Sequence, residues 1–283
     1  MIVITGATGN VGRSLTASLV SAGHVVTAVA RGTSAGLPSG TGIIPVATDL
    51  TDSAAVQSLA ANMAGAKALF LLVPGAGAGV DAPALLDTAA TAGVQRVVLL
   101  SSQAVGTRPG AAAYAPMAAI EDAVTNSGLE WTILRAGGLA SNAFAWVPTL
   151  RAQQAVLAPY GDVALPAIDP LDIAEVAAVA LTGDGHLGRT YVLTGPEATT
   201  PRQRTESIAK AVQRTLAFIE VSPEDAREQM LQFMPLPVVD ATLAILGHPT
   251  PEEAQVSPDV EQVLGRPGRS FADWAQRNAA AFR

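Results

Sequence analysis

The sequence predicts an α/β fold in which parallel strands alternate with covering helices, and three observations predict it. The chain opens on apolar and β-branched residues, Ile2-Val3-Ile4, that run through a glycine-rich turn into a helical pattern. Nearly continuous apolar runs, such as 66–73, suit strands buried on both faces. The segments between strands carry apolar residues at helical spacing, and 283 residues are enough for one large domain, or one with a smaller appendage, around a substantial core.

In the opening stretch, MIVITGATGNVG, glycines stand at every third position, Gly6, Gly9 and Gly12. A strand, a tight turn and a helix start in this order hold a dinucleotide pyrophosphate. Gly6 allows the turn, Gly9 lets backbone approach the phosphates, and Gly12 lets helix pack on strand, while the free N–H groups of the helix start face the anion. The helix is expected over 11–22, with Val11, Leu15 and Leu19 inward and Gly23 as its stop. A second strand, 24–30, ends at Arg31. At this strand end an acid would take the ribose 2′-OH of NAD and an arginine the 2′-phosphate of NADP. Arg31 with no acid nearby predicts NADP, although a lone arginine is also an ordinary surface charge.

The third strand is expected at 43–47, followed by Asp49, placed to accept from the adenine amino group, and Asp52, the better N-cap for a helix over 53–64. The fourth strand, 66–73, breaks at Pro74-Gly75, and the glycine-rich loop 75–79 reads as a flexible rim because no basic residue partners it. A helix over 82–92 leads to a fifth strand, 94–100, which ends in Ser101-Ser102-Gln103, hydroxyls and an amide where a nicotinamide and its acceptor would lie. After a mobile-looking segment, 104–113, come a helix over 116–126 and a sixth strand, 130–134. Aromatic residues then concentrate in 140–161, where Asn142, Phe144 and Trp146 form a candidate substrate wall or simply pack together. An alanine-rich helix to Leu181 and a strand over 190–193 precede helices over 201–215, 222–233, 238–246 and 271–282, read as a small helical region covering the nucleotide domain.

Composition excludes several classes. The net charge of -7 disfavours nucleic acid, and no basic run offsets it. With no cysteine there are no disulfides, thiolate nucleophiles or iron–sulfur clusters. His24, His186 and His248 stand apart, without metal-ligand spacing or a Ser-His-Asp arrangement. The first strand begins at Met1, which leaves no room for a signal peptide, and no apolar run reaches the roughly eighteen residues of a membrane span, so a cytoplasmic location is expected.

These residues together resemble a known family. TGATGNVG at 5–12, Arg31, Thr48-Asp49-Leu50, SSQ at 101–103, SGLEWTILR at 127–135, DPLDIAEVAA at 169–178, GRTYVLTGPEA at 188–198 and SFADWAQRNAAAF near the end are similar to the NmrA-like atypical short-chain dehydrogenase/reductases. The resemblance implies a doubly wound parallel sheet, the Rossmann fold, spanning 1–143 and completed by about 166–195. It places a mostly helical substrate region at 196–283 with the loop 144–165. It implies NADP(H) held by Gly6, Thr8, Gly9, Asn10, Val11, Gly12, Arg31, Asp49, Leu50, Val73, Pro74 and Ser101, and a small-molecule substrate near Gln103, Met117, Asn142, Phe144 and Trp146. No metal, nucleic acid or membrane partner is expected, and the protein is expected as a monomer or homodimer.

The catalytic pattern is incomplete. The common mechanism of these enzymes pairs a tyrosine with a lysine one helical turn on, which lowers the tyrosine pKa from about 10. After Tyr114, Tyr160 and Tyr191 that position holds Ala118, Ala164 and Gly195, and the only lysines are Lys67 and Lys210. Isoflavone-reductase-like relatives keep a lysine where this chain has Met117. Missing the lysine argues against alcohol oxidation or epimerisation more than against reduction of a quinone or activated enone, whose oxyanion takes a proton from water, Ser101, Ser102 or Tyr114. An NADPH-dependent reductase of such an acceptor is therefore expected, with an NADP(H) redox sensor, or an isomerase or cyclase on the same fold, as alternatives.

Overall fold

The computed structural model describes residues 1–32, 36–37 and 40–283. The chain divides into two compact units, Met1–Ala136 with Pro170–Val192, and Gly137–Asp169 with Leu193–Arg283.

The first unit is built on a seven-stranded sheet. β1 (Ile2–Thr5) passes through the glycine turn into α1 (Asn10–Ser21), then β2 (Val26–Ala30) and β3 (Ile43–Ala47). Next come α2 (Ser53–Ser58), α3 (Ala60–Met63), β4 (Ala68–Leu71), α4 (Ala82–Thr91) and β5 (Arg96–Ser102). α5 (Gln103–Thr107), α6 (Ala115–Thr125) and β6 (Glu130–Ala136) follow. The order is β3-β2-β1-β4-β5-β6 with the strand Arg189–Leu193 at the far edge, and β1 to β6 run parallel. Chain order reverses between β1 and β4, which is the switch point where a doubly wound sheet opens a crevice at its carboxyl ends.

Both faces are covered, which explains the continuous apolar strands. Val3, Leu69, Leu71, Val97 and Leu99 meet Leu85, Ile120 and Val124 from α4 and α6 on one side. On the other, α1 packs with the helix Pro170–Thr182. Asp52 caps α2 through the N–H groups of Ala54 and Ala55, as its position predicts. The helix expected over 53–64 is broken at Leu59 into α2 and α3. β5 continues two residues past its apolar run, because Ser101 and Ser102 pair with Arg135 and Ala136. The segment 104–113, expected to be mobile, contains most of α5 and the start of a 3₁₀ turn, Ala112–Tyr114. The glycine-rich rim forms a 3₁₀ turn in which Gly77 lies against Ile120, and a Cβ at Gly77 would stand 2.5 Å from that side chain.

At the opposite end of the sheet Arg96 ties elements together, donating to the carbonyls of Ala180, Leu181 and Gly183 and pairing with Glu130. His186 Nδ1 meets the Tyr191 hydroxyl at 2.9 Å, and burial, then the Arg96 charge, push the imidazole below its usual value of 6.5. In the unfolded chain this histidine takes a proton near 6.5, whereas the folded one resists it. The protein is therefore expected to lose stability as pH falls below about 6.5, and His186→Gln should flatten that part of the pH profile of urea midpoints. An unchanged slope would refute the assignment.

The second unit is not only helical. The strand Ala155–Ala158 pairs in parallel with Ala217–Glu220, and Leu165–Pro166 pairs antiparallel with Ala198–Thr199. The segment expected as a loop, 144–165, thus holds two of these strands and the helix Val147–Gln153. The core of this unit is aromatic. Phe144 stacks on Phe282 with centroids 5.7 Å apart and tilts on Trp274 at 5.1 Å, with Phe271 beside them. No helix among the described residues is long and apolar enough to cross a membrane.

Candidate functional site

The carboxyl end of the first unit's sheet is built around the turn after β1. The Thr5 hydroxyl donates to the Leu72 carbonyl and accepts from the Leu72 N–H, both at 2.8 Å, which locks the end of β1 to the end of β4. Gly6 takes a positive φ of 64°, and the Gly9 N–H closes the turn on the Gly6 carbonyl at 3.0 Å. A Cβ on Gly12 would be driven into that same carbonyl and to 2.8 Å from the Ala7 Cα. Gly9 is the N-cap of α1, and no side chain caps that helix and no acid stands in its first turn. The leading N–H groups of α1 therefore meet no capping side chain, and a helix start of this kind suits an anion. Thr8 and Asn10 flank this opening, Val11 is buried in the helix packing, and Arg13 braces the turn by donating to the Thr8 carbonyl at 3.1 Å. Arg13 escaped the sequence reading because it follows the glycine motif, although a cation one position beyond an anion cradle is a usable signal. The cradle fits a dinucleotide pyrophosphate.

Next to it, Arg31 stands exposed at the end of β2 and Asp49 exposed just past β3. The Thr51 N–H and hydroxyl both reach Asp49 Oδ1, at 3.0 and 2.8 Å. Those bonds, with the Arg31 charge adding to them, hold the Asp49 carboxyl below its usual range. A hollow of about 210 Å³, lined by Ala28, Ala30, Gly32, Leu37, Pro45, Val46 and Ala47, runs along these two strands beside Arg31. Pro74, half-buried, begins the turn after β4. Leu50 and Val73, expected at the nucleotide, send their side chains into the core.

On the β4–β5 side, Ser101 is buried and its hydroxyl donates to Glu121 Oε1 at 2.5 Å. Arg135 grips the same carboxylate in a fork, Nε to Oε1 at 3.0 Å and Nη2 to Oε2 at 2.6 Å, and Glu121 raises the pKa of its guanidinium further. Ser102 caps α5 by accepting from the Ala104 N–H at 3.2 Å. Gln103 is buried as the first residue of α5, and Tyr114 is half-buried at the start of α6. Met117 is buried in the core between α6 and the sheet, because it shares a stripe with Ile120 and Val124. In the second unit Asn142 is exposed, while Phe144 and Trp146, both half-buried, pack with the aromatic core.

Comparison with known proteins gives four concordant findings. A family profile described as NAD(P)H-binding matches residues 6–184. A (4-alkanoyl-5-oxo-2,5-dihydrofuran-3-yl)methyl phosphate reductase of Streptomyces griseus is 38% identical over 100% of this chain and 99% of its own length. An NAD(P)H azoreductase of Xenophilus azovorans is 30% identical over 100% of this chain and 99% of its own. In fold, the chain is similar to the Escherichia coli NADPH-dependent quinone oxidoreductase QOR2 complexed with NADPH, with a TM-score of 0.78 at 23% identity over 98% of this chain and 99% of the other.

Proposed function

We propose, on the premise that this chain belongs to the NAD(P)H-binding, NmrA-like atypical short-chain dehydrogenase/reductase family, that it is an NADPH-dependent reductase of an electron-poor conjugated acceptor. An activated enone of the acyl-dihydrofuranone kind is the preferred acceptor, and a quinone the next. The observation that carries the reading is whole-length similarity to two reductases whose named acceptors, an acyl-dihydrofuranone and an azo compound, are both electron-poor π systems.

When bound, the dihydronicotinamide supplies hydride. The chain's own residues bind and orient. The Gly6–Gly12 turn and the open start of α1 hold the pyrophosphate, which fixes the nucleotide across the switch point. Arg31, charged and exposed at the end of β2, pairs with a 2′-phosphate and selects NADP over NAD. With an enone, the new C–H bond forms at the β-carbon and the electron pair moves to the carbonyl oxygen. An acid must then supply one proton to the resulting enolate, which completes the saturated ketone, and Tyr114, half-buried at the start of α6, is assigned that role. With Ala118 where a lysine would stand, the chain lacks the usual aid to a tyrosinate base, so proton delivery suits it better than proton abstraction.

Acceptor-dependent loss of nicotinamide absorbance tests the reading, using acyl-dihydrofuranones, simple enones and quinones with purified protein. Turnover of a conjugated acceptor supports it. Tight NADPH binding with no turnover across the panel would replace it with the sensor reading. Arg31→Ala is expected to weaken NADPH binding by about tenfold or more and NADH binding little, because one charge-assisted contact to the 2′-phosphate is lost. Equal losses for the two nucleotides would remove Arg31 from cofactor selection.

A further inference from the structure

Ser101, Glu121 and Arg135 make a closed hydrogen-bond set at the carboxyl end of the sheet, and its chemistry has one direction. Glu121 comes from α6, Ser101 from the end of β5, and Arg135 is its direct neighbour on β6. Held in a fork by a guanidinium, Glu121 is a carboxylate, and a carboxylate only accepts. The Ser101 hydroxyl has one hydrogen, and the 2.5 Å contact to Oε1 uses it. The Nη1 of Arg135 lies over Gly106 of α5, where a Cβ would stand only 2.6 Å away, so the absence of a side chain there leaves room for the guanidinium. What Ser101 keeps is lone pairs.

We propose that Glu121 and Arg135 act as positioning residues that make Ser101 a pure hydrogen-bond acceptor, which receives an N–H of the nicotinamide carboxamide and cannot protonate a substrate. The proposal rests on the nucleotide-binding reading. A nucleotide whose pyrophosphate sits after β1 and whose adenosine lies toward β2 and β3 carries its nicotinamide over β4 and β5, where Ser101 lies. The carboxamide is the one group on that ring with N–H donors. One consequence is that the proton for the substrate comes from another group, which strengthens the assignment of Tyr114.

The test compares dissociation constants for NADP and its 3-acetylpyridine analogue, in which a methyl group replaces the carboxamide nitrogen. The wild-type protein is expected to prefer NADP by about fivefold to tenfold, the worth of one buried hydrogen bond. Ser101→Ala should bring that ratio close to one. Glu121→Gln should lower the ratio without bringing it to one, because the glutamine amide can donate to the Ser101 oxygen, taking one of its two lone pairs and releasing its proton. Arg135→Lys keeps a cation on Glu121 and should leave the ratio as in wild type. A purely structural role would weaken both nucleotides equally and leave every ratio unchanged, which would overturn the proposal. Should Glu121→Gln fail to fold, Ser101→Ala decides alone. Binding of 2′,5′-ADP, which lacks the nicotinamide, separates the two levels. Retained 2′,5′-ADP binding with an unmoved ratio defeats this proposal only, whereas a wild-type protein that binds neither 2′,5′-ADP nor NADP defeats the nucleotide reading and the proposal with it.

Discussion

Gly12→Ala is expected to abolish measurable NADPH binding, with a loss of at least about a hundredfold, or roughly 2.7 kcal/mol. The added methyl has no room, since it points into the Gly6 carbonyl and lies 2.8 Å from the Ala7 Cα. Both atoms are backbone, so relief requires the turn itself to move away from α1, and with it the N–H groups that face the phosphates. Gly9 separates binding from folding. Its φ of −77° is open to any residue, and a Cβ there meets only the Gly6 carbonyl, at 3.2 Å. Gly9→Ala should therefore melt within a few degrees of wild type while binding NADPH about tenfold more weakly, because its methyl occupies the side from which the pyrophosphate approaches. Calorimetric titration with NADPH, together with thermal melts, reads both variants. Wild-type affinity in Gly12→Ala would mean that the turn is not the phosphate cradle.

The parts of this fold that sequence reading finds are those set by local chemistry. β3 is expected over Ile43–Ala47 and is found there, because a short run of apolar and β-branched residues is bounded by a glycine on one side and the Thr48-Asp49 pair on the other. The cradle follows from glycine spacing alone. What escapes depends on partners distant in the chain. β5 reaches Ser102 only because β6 supplies pairing for two hydroxyl residues that carry no apolar signal. The packing of Phe144 and Trp146, which read equally as a substrate wall or as residues that pack together, depends on Phe271, Trp274 and Phe282, more than a hundred residues later in the chain. Glu121 is the instructive case. It follows Ile120 and precedes Asp122, so by composition it reads as part of a solvated face. Yet Met117, Ile120, Glu121 and Val124 share the buried stripe of one helix, and a carboxylate in such a stripe requires a cation opposite it. Arg135, at the end of an otherwise apolar strand, is that cation.

That pairing makes Arg135→Ala a substitution expected to cost the first unit heavily. Removing the guanidinium leaves a carboxylate that is only 7% exposed with the Ser101 hydroxyl as its one remaining donor among the described contacts. Breaking a buried pair from one side costs about 3–5 kcal/mol, and because Arg135 is itself 27% exposed, the loss should fall near the lower figure. A loss of about 3 kcal/mol is a large share of the stability of a domain of this size. Replacing both partners, Glu121→Leu with Arg135→Met, should restore much of that loss, since no orphaned charge remains and apolar side chains fill similar volume. Urea unfolding of the two single variants and the double variant gives the coupling directly. If the double variant loses as much as the two single variants combined, the pair contributes nothing beyond its separate side chains, and the closed set around Ser101 is not held by charge. If the double variant recovers, α6 stays docked on β5 and β6 while Ser101 loses the carboxylate that fixes its proton. Stability and nicotinamide selectivity then separate in one protein, since a fold restored by apolar packing would still have lost its preference for the carboxamide.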